Sequence, residues 1–273
     1  VTAVSYSLDE KDIPNSGSAS NTGADPFVVQ ALDIVANGDS ISDVLFTAAT
    51  VTTLESLGLT SDGTTILYAL SPDAHTLTAT AGANTIFTLV IGNPTDGTGA
   101  SQTMTATLSG PVDQSAASST ALSVSYEVRD VDSVVTGAST FTIVDDTPLD
   151  PVNDTSVSVT ESASTAVGTA NTGDNLLAND TVGADGGTVH SISYTDRSGA
   201  LQADVLIPSS GLSVNTQYGA LTVNQDGTWS YLPIETADHT QPANDTSLSD
   251  DFTYKIVDGD GDVSANAATQ SIT

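Results

Sequence analysis

The chain has no cysteine, one tryptophan, one methionine and no long apolar run. The absence of cysteine excludes disulfides, thiolate metal sites and cysteine nucleophiles. No segment approaches the roughly 18 consecutive apolar residues of a membrane-spanning helix, so we expect no membrane insertion. The N-terminus also lacks the basic start and apolar stretch of a secretory signal peptide. Either a signal lies elsewhere in a longer chain, or the protein does not use that export route.

Basic residues are also scarce, since four Lys and Arg residues stand against 34 Asp and Glu residues and the formal net charge is −30. This acidic excess argues against binding to nucleic acid or to anionic membranes. Disordered acidic segments are usually poor in apolar residues, whereas 38% of this chain is hydrophobic. We therefore predict a folded protein, and 273 residues are enough for one large domain or two of ordinary size.

Sequence motifs of catalysis are missing. The chain has no Gly-x-Ser-x-Gly elbow, no His-Glu-x-x-His pair and no phosphate-binding glycine loop. Its three histidines, His75, His190 and His239, are too scattered to predict a zinc site. A pair of carboxylates for glycoside hydrolysis would be an arbitrary choice among so many aspartates. We therefore expect no enzymatic activity.

Short segments of alternating apolar and polar residues predict β-strands. The clearest examples are residues 76–80, 123–128, 140–143, 221–223 and 252–256. Turn sequences such as Ser-Asp-Gly and Asn-Gln-Asp-Gly separate these segments. Many short strands with regular turns predict an all-β protein of antiparallel β-sandwiches. We expect one short helix or turn within residues 48–58.

A domain boundary is predicted near the middle of the chain. Residues 144–151 read Val-Asp-Asp-Thr-Pro-Leu-Asp-Pro, an acidic segment after a predicted strand. Its two prolines cannot join the interior of a β-ladder. The sequence therefore predicts two tandem domains, residues 1–147 and 148–273.

The strongest predicted site is a run of three aspartates on alternate residues, Asp258, Asp260 and Asp262, with glycine between them. Calcium binds six to eight oxygen ligands, and the glycines allow a tight turn that brings carboxylates together. The competing interpretation is a flexible acidic hairpin, in which the carboxylates would mainly repel each other. We predict a calcium site here.

The domain boundary supplies a second predicted calcium site. Its candidate ligands are Asp145, Asp146, Asn153 and Asp154. An ion at this point would draw ligands from both domains and stiffen the hinge. Otherwise the segment is a polar linker in which Asp154 forms a local turn.

Three further acidic groups are candidate calcium sites. The first combines Asp9, Glu10 and Asp12, at the start of the first domain, with Asp130 and Asp132 near its end. The other two are the group around Asp174, Asn175, Asn179 and Asp180 and the pair Asp250 and Asp251. In the group around Asp174, an aspartate or asparagine that caps a short turn is the alternative. Together these groups predict a protein that binds several calcium ions.

The first predicted domain resembles a known bacterial repeat. The matching segments follow in order at residues 8–14, 59–63, 68–71, 77–82, 86–89, 108–113 and 141–148. Their sequences, among them Leu-Thr-Ser-Asp-Gly and Phe-Thr-Ile-Val-Asp-Asp-Thr-Pro, resemble the type I secretion target repeat of giant bacterial RTX adhesins. Where such repeats carry Asp-x-Asp-Gly-Asp, this chain has Asp130-Val131-Asp132-Ser133, which weakens the expectation of a full calcium site there.

The second predicted domain resembles the Ig-like and cadherin-like (VCBS-type) repeats of the same adhesins. The matching segments are residues 175–180, 218–223, 226–231 and 252–258, which include Asn-Leu-Leu-Ala-Asn-Asp and Asp-Gly-Thr-Trp-Ser-Tyr. The two resemblances together cover most of the chain.

The resemblance implies a bacterial cell-surface protein exported by type I secretion, with its C-terminal signal outside this segment. It also implies Ig-like or cadherin-like sandwiches with calcium at turns and between domains. The expected function is that of a rigid extender in cell adhesion and biofilm formation. The expected partners are neighbouring domains of the same long chain, and we expect a monomer.

A ligand-binding domain is the alternative function. In that interpretation the first domain binds a cell-surface peptide or glycan through a bound calcium, using the Gly-rich loop of residues 92–103. Trp229 and Tyr231 at positions i and i+2 of a strand resemble a sugar platform, but core packing is the interpretation we favour. We favour the extender over the ligand-binding domain.

Overall fold

The computed structural model of the chain describes residues 4–18, 27–36, 40–92, 102–114, 119–159, 175–234 and 247–273. Contacts divide the chain into two units, Val1–Asp146 and Thr147–Thr273. The division lies one residue before the boundary drawn from the sequence. Within the described ranges, no helix is long and apolar enough to cross a membrane.

Strands are the main elements in the described part of the first unit. They are β1 (Val4–Asp9), β2 (Phe27–Ala31), β3 (Asp43–Phe46), β4 (Thr60–Ser61), β5 (Thr64–Leu70), β6 (Thr76–Ala81), β7 (Asn84–Ile91), β8 (Thr103–Leu108), β9 (Ser119–Arg129) and β10 (Val134–Val144). A 3₁₀ turn at Glu10–Asp12 follows β1, and the helix α1 (Ala48–Glu55) follows β3.

These strands form a sandwich of two sheets, in the orders β1-β10-β9-β3 and β2-β8-β7-β6-β5-β4. Phe87 of β7 and Phe141 of β10 meet edge to face with ring centroids 5.6 Å apart, so the two sheets pack against each other. Tyr6 stacks on Phe141 and Tyr68 contacts Phe87. One pair departs from the antiparallel expectation, because β1 runs parallel to β10.

Local sequence explains these elements. In β6 the residues Leu77, Ala79 and Ala81 are buried while the intervening threonines are partly exposed, which is the alternation of a half-buried strand. The predicted strands lie within β6, β9 and β10 of this unit, and the predicted short helix is α1. The α1 residue Thr50 is buried and donates its hydroxyl to the carbonyl oxygen of Ser125 at 2.6 Å, which fixes the helix to β9.

In the second unit, the described residues form seven strands in two sheets. They are β11 (Gly187–Thr195), β12 (Leu201–Leu206), β13 (Leu212–Asn215), β14 (Gly219–Val223), β15 (Trp229–Pro233), β16 (Phe252–Asp258) and β17 (Ala268–Gln270). The sheet orders are β12-β11-β16-β17 and β13-β14-β15.

Aromatic side chains from both sheets fill the core of the second unit. Trp229 of β15 and Phe252 of β16 meet edge to face with centroids 5.6 Å apart. Tyr231 and Tyr254 are also buried. The prediction that Trp229 and Tyr231 pack in the core is therefore confirmed, and both units have the all-β sandwich fold that the sequence predicts.

Candidate metal centre

The aspartate run lies at the end of strand β16. Asp258 is the last residue of the strand, where it pairs with Gly187 of β11, and only 6% of its surface is exposed. The chain then turns back, so that Val263 bridges to Val257. Gly261 has a φ of 104°, a conformation that favours glycine. The alternation of Asp and Gly therefore builds a tight turn that starts from a buried carboxylate.

The two carboxylate oxygens of Asp258 have different surroundings. Oδ1 accepts hydrogen bonds from the backbone amides of Asp260, Gly261 and Asp262 at 3.2, 2.8 and 2.8 Å. Oδ2 is buried and has no hydrogen-bond partner among the described residues. Burial raises the pKa of this carboxyl, the amides oppose the rise, and the charges of Asp262 and Asp260 add to it. A buried anionic oxygen without a donor, beside two further carboxylates, is suited to a cation.

A second acidic group lies at one end of the first unit. Because β1 runs parallel to β10, with Asp9 opposite Val144, the 3₁₀ turn and residues 145–146 leave the sheet at the same end. Carboxylate oxygens of Glu10 and Asp145 lie within 4.8 Å of each other. This convergence is typical of residues that share a cation.

The carboxylates at this end have different surroundings. Glu10 is fully buried, and its Oε1 accepts from the Val112 amide at 2.8 Å. Asp146 accepts from the amide of Ser18 at 2.7 Å and from its hydroxyl. Asp9 accepts from Lys11, whereas Oδ1 of Asp12 is buried with no hydrogen-bond partner in the part of the chain that the structure describes.

The predicted combination of Asp9, Glu10 and Asp12 with Asp130 and Asp132 is wrong. Asp130 and Asp132 lie in the turn between β9 and β10, at the start of β10, whereas the 3₁₀ turn lies beside its end. The 11 residues of β10 separate these positions by about 33 Å, given a rise of about 3.3 Å per residue. The sequence places these residues at the two ends of one domain, but only the parallel register shows which strand ends meet.

Asp130 instead closes its own hairpin. Its Oδ1 accepts from the amides of Asp132 and Ser133 at 3.0 and 2.6 Å, and its Oδ2 accepts from the Ser133 hydroxyl at 2.7 Å. The Ser133 hydroxyl and these amides lower the pKa of Asp130. Donors of the protein thus already surround this carboxylate.

Asp154 and Asp180 lie together in the second unit, around the Tyr254 hydroxyl. Asp180 accepts from the Val152 amide at 2.7 Å and from the Tyr254 hydroxyl at 3.0 Å. Oδ2 of Asp154 is buried without a hydrogen-bond partner among the residues described. Burial raises the pKa of Asp154 to about 6, Tyr254 opposes the rise and the charge of Asp180 adds to it. The sequence assigns these two aspartates to different groups.

The asparagines near this pair hold the backbone. Asn153 accepts from the Thr269 amide at 2.9 Å, and Asn179 donates to the carbonyl oxygens of Val152 and Asn153 at 3.2 Å. Asn175 accepts from the Leu177 amide at 2.9 Å. The predicted ligand Asp174 lies outside the described residues.

Asp250 and Asp251 are held by hydrogen-bond donors. Oδ2 of Asp250 accepts from the hydroxyls of Tyr231 and Thr216, both at 2.6 Å, and from the Tyr218 amide at 3.0 Å. Asp251 accepts from the Ser249 hydroxyl at 2.6 Å. These donors account for the burial of Asp250, and a metal role for either residue stays a prediction.

Sequence reasoning missed Asp185, which lies in the turn before β11. A Cβ added to Gly259 would lie 2.8 Å from Cβ of Asp185 and 2.9 Å from its carbonyl oxygen, so the two turns are in direct contact. Both carboxylate oxygens of Asp185 are buried. The local sequence Gly183-Ala184-Asp185-Gly186-Gly187 contained a signal, because glycines around one aspartate predict a tight acidic turn.

Comparisons with known proteins give no family. No protein-family model matches the chain, and no curated protein matches it. The chain is similar to the solved structure of mouse clustered protocadherin PcdhgC3 EC1-3, at 13% identity, with 100% of this chain and 66% of that chain covered and a TM-score of 0.26. Human protocadherin-24 EC1-2 matches at 15% identity, 85% and 97% coverage and a TM-score of 0.27.

An endo-fucoidan hydrolase of glycoside hydrolase family 107 is also similar, at 17% identity, 77% and 24% coverage and a TM-score of 0.26. The chain thus spans less than two thirds of the PcdhgC3 structure and about a quarter of the hydrolase. At these TM-scores the similarities carry no argument about function, which has to be argued from the carboxylates themselves.

Proposed function

We propose that the chain is a calcium-stabilised extracellular module of a large bacterial surface adhesin, where it acts as a rigid extender in cell adhesion and biofilm formation. The observation that carries the proposal is Oδ2 of Asp258, a buried carboxylate oxygen in a turn with two more aspartates, which has no hydrogen-bond donor among the described residues. Burying the charge of a carboxylate is unfavourable unless a cation or hydrogen-bond donors compensate it. A divalent cation would remove that penalty.

The composition supports the same conclusion. With 34 acidic and four basic residues, the chain has too few cations to neutralise its carboxylates. It has no cysteine with which to cross-link two sandwiches. Bound calcium would both relieve the repulsion and hold the strand ends in place.

The expected sites differ in strength. In the second unit we assign Asp258, Asp260 and Asp262 to a calcium ion. In the first unit the group of Glu10 and Asp145, with Asp9, Asp12 and Asp146 nearby in sequence, is the second candidate. Asp130 and Asp132 form the weakest, because Ser133 and backbone amides already satisfy Asp130.

Calcium binding would make folding depend on whether the chain is inside or outside the cell. An ion that binds only the folded state adds about 2.7 kcal/mol when its concentration is a hundredfold above its dissociation constant. Calcium sites of extracellular modules typically have dissociation constants of about 10⁻⁴–10⁻³ M. The chain would then remain loose in a calcium-poor cytoplasm, suited to type I export, and fold outside the cell.

Thermal unfolding of the chain in calcium and in excess EGTA tests the proposal. We expect the melting temperature to fall sharply in EGTA, with recovery on adding calcium and less recovery on adding magnesium. Magnesium requires near-octahedral geometry and gives up its waters reluctantly, so it is the matched control. The same melting temperature in EGTA and in calcium would contradict the proposal.

The ligand-binding alternative depends on the loop of residues 92–103, of which residues 93–101 lie outside the described part. It stays a prediction. Screening the chain on glycan arrays and peptide panels with calcium present separates the two functions. A specific hit that EGTA abolishes would contradict the view that the chain is an extender alone.

A further inference from the structure

Two turns of the second unit meet at the same end of one sheet. The first is the turn at residues 183–186, which leads into β11, and the second is the turn at residues 259–262, which follows β16. Gly187 and Asp258 are paired in the ladder between these strands. Asp185, two residues before Gly187, is therefore brought beside the turn that Asp258 starts.

Glycines allow this close approach. A Cβ on Gly259 would lie 2.8 Å from Cβ of Asp185 and 2.9 Å from its carbonyl oxygen. A Cβ on Gly187 would lie 2.7 Å from the carbonyl oxygen of Val257. Real Cβ atoms do not tolerate such distances, so any larger residue at either position would push the turns apart.

Buried carboxylate oxygens therefore lie in both of these turns. Both oxygens of Asp185 are buried, and Asp258 is 6% exposed with Oδ2 lacking a hydrogen-bond donor among the described residues. A cation between the two turns would compensate the charge of the buried Oδ2 of Asp258.

The second unit offers few cationic side chains to Oδ2 of Asp258. This unit contains only Arg197 and Lys255. Lys255 pairs with Asp204, with Nζ and Oδ1 3.5 Å apart. Arg197 lies two residues beyond Thr195, the last residue of β11, and so at the far end of this nine-residue strand from Gly187, a separation of about 30 Å.

We propose that Asp185 is a ligand of the same calcium ion as Oδ2 of Asp258. The site is then built from two turns rather than from the aspartate run alone. Oδ1 of Asp258 accepts from three backbone amides of its own turn, which leaves Oδ2 for the ion. The inference rests on the proposed calcium dependence of the chain.

The test compares Asp185→Asn with the parent chain, using calorimetric calcium titration and thermal unfolding. Removing a supporting group around a metal ligand typically weakens binding about 10-fold or more. Removing the ligand Asp185 itself should weaken calcium binding at one site by at least that factor. In EGTA the variant should melt at or above the parent temperature, because one of two buried like charges is gone. An equal fall in melting temperature with and without calcium would show a structural role only and overturn the inference.

Asp204→Asn is the matched control, because it removes an exposed aspartate of the same unit and should leave calcium binding unchanged. Asp258→Asn should weaken the same site. The double variant Asp185→Asn with Asp258→Asn should lose less than the sum of the single losses, since both residues would bind one ion. Additive losses would mean separate ions and overturn the inference.

Gly259→Ala tests the inference even if Asp185→Asn does not fold. It keeps every carboxylate but forces the two turns apart, so calcium binding should weaken, and parental affinity would overturn the inference. A parent chain that calcium does not stabilise would instead refute the proposed function itself. A calcium-stabilised parent whose Asp185→Asn variant binds calcium normally would refute only the role of Asp185.

Discussion

At the residue scale, Asp258 combines two roles in one side chain. Oδ1 accepts from three backbone amides, whereas Oδ2 is buried without a donor among the described residues. In metal-free buffer, Asp258→Asn should be at least as stable as the parent, because it keeps an oxygen for the amides and removes the buried charge. Asp258→Ala leaves the amides without an acceptor and should lose about 1–3 kcal/mol. Chemical denaturation measures both, and equal losses would contradict separate roles.

The burial of Asp154 should make the stability of the second unit depend on pH. Burial raises its pKa from 3.8 to about 6. Because the folded state holds the proton more tightly than the unfolded state, Asp154 stabilises the metal-free fold at low pH, and this contribution is lost as the pH rises through about 6. Between about pH 4 and pH 7, the free energy of unfolding should therefore fall less in Asp154→Asn than in the parent.

Denaturation in metal-free buffer at several pH values checks this expectation. Asp204→Asn, which changes an exposed aspartate, is the control and should follow the parent. A parallel pH dependence of the parent and Asp154→Asn would contradict the assigned role of burial.

At the element scale, the packing of β14 against β15 requires a glycine at position 219. Gly219 of β14 lies under the Tyr231 ring, and a Cβ added there would lie 2.5 Å from Cε2 of that ring. The Tyr231 hydroxyl in turn donates to Asp250 at 2.6 Å. Gly219→Ala should therefore displace the ring and weaken that hydrogen bond.

Overpacking alone costs about 1–3 kcal/mol, and we expect Gly219→Ala to lose at least that much, equally in calcium and in EGTA. Urea denaturation measures the loss. Gly92→Ala is the control, because its Cβ would lie at an ordinary 3.7 Å from the Gln102 side chain. A neutral Gly219→Ala would show that the ring is free to move.

At the scale of the whole molecule, the two units should depend on calcium unequally. Replacing Asp260 and Asp262 together by alanine should loosen the second unit, Thr147–Thr273, before the first. With calcium present, hydrogen–deuterium exchange of β11 and β16 should then be faster in the double variant than in the parent chain, while exchange of β9 and β10 stays unchanged. Equal acceleration in both units would contradict the assignment of this ion to the second unit.

Much of the fold followed from local sequence. Period-two alternation predicted strands that lie within β6, β9, β10, β14 and β16, and the two prolines near residue 150 marked the region where the chain divides. These features are local because burial on one face requires alternating side chains whatever the partner strand is. The parallel pairing of β1 with β10 left no such local signal.

The candidate site was less predictable, because its carboxylates meet through strand pairings between residues distant in sequence. The aspartate run at Asp258 was visible in the sequence, since its carboxylates are neighbours in the chain. The pairing of Glu10 with Asp145 depends on the parallel register of β1 and β10, and that of Asp154 with Asp180 on packing around Tyr254. No local sequence pattern indicates that Glu10 lies near Asp145 or that Asp154 lies near Asp180.

The sequence by itself determined an acidic, cysteine-free, all-β chain with a division near residue 147 and a turn built for carboxylates at Asp258. Only the tertiary structure decided which carboxylates share a place. It separated Asp130 from Asp9 by the length of β10 and brought Asp185 against Gly259. The alternation of apolar and polar residues and the preferences of turn residues act over a few residues of sequence. The convergence of distant carboxylates is set instead by strand register and by the glycines that let two backbones touch.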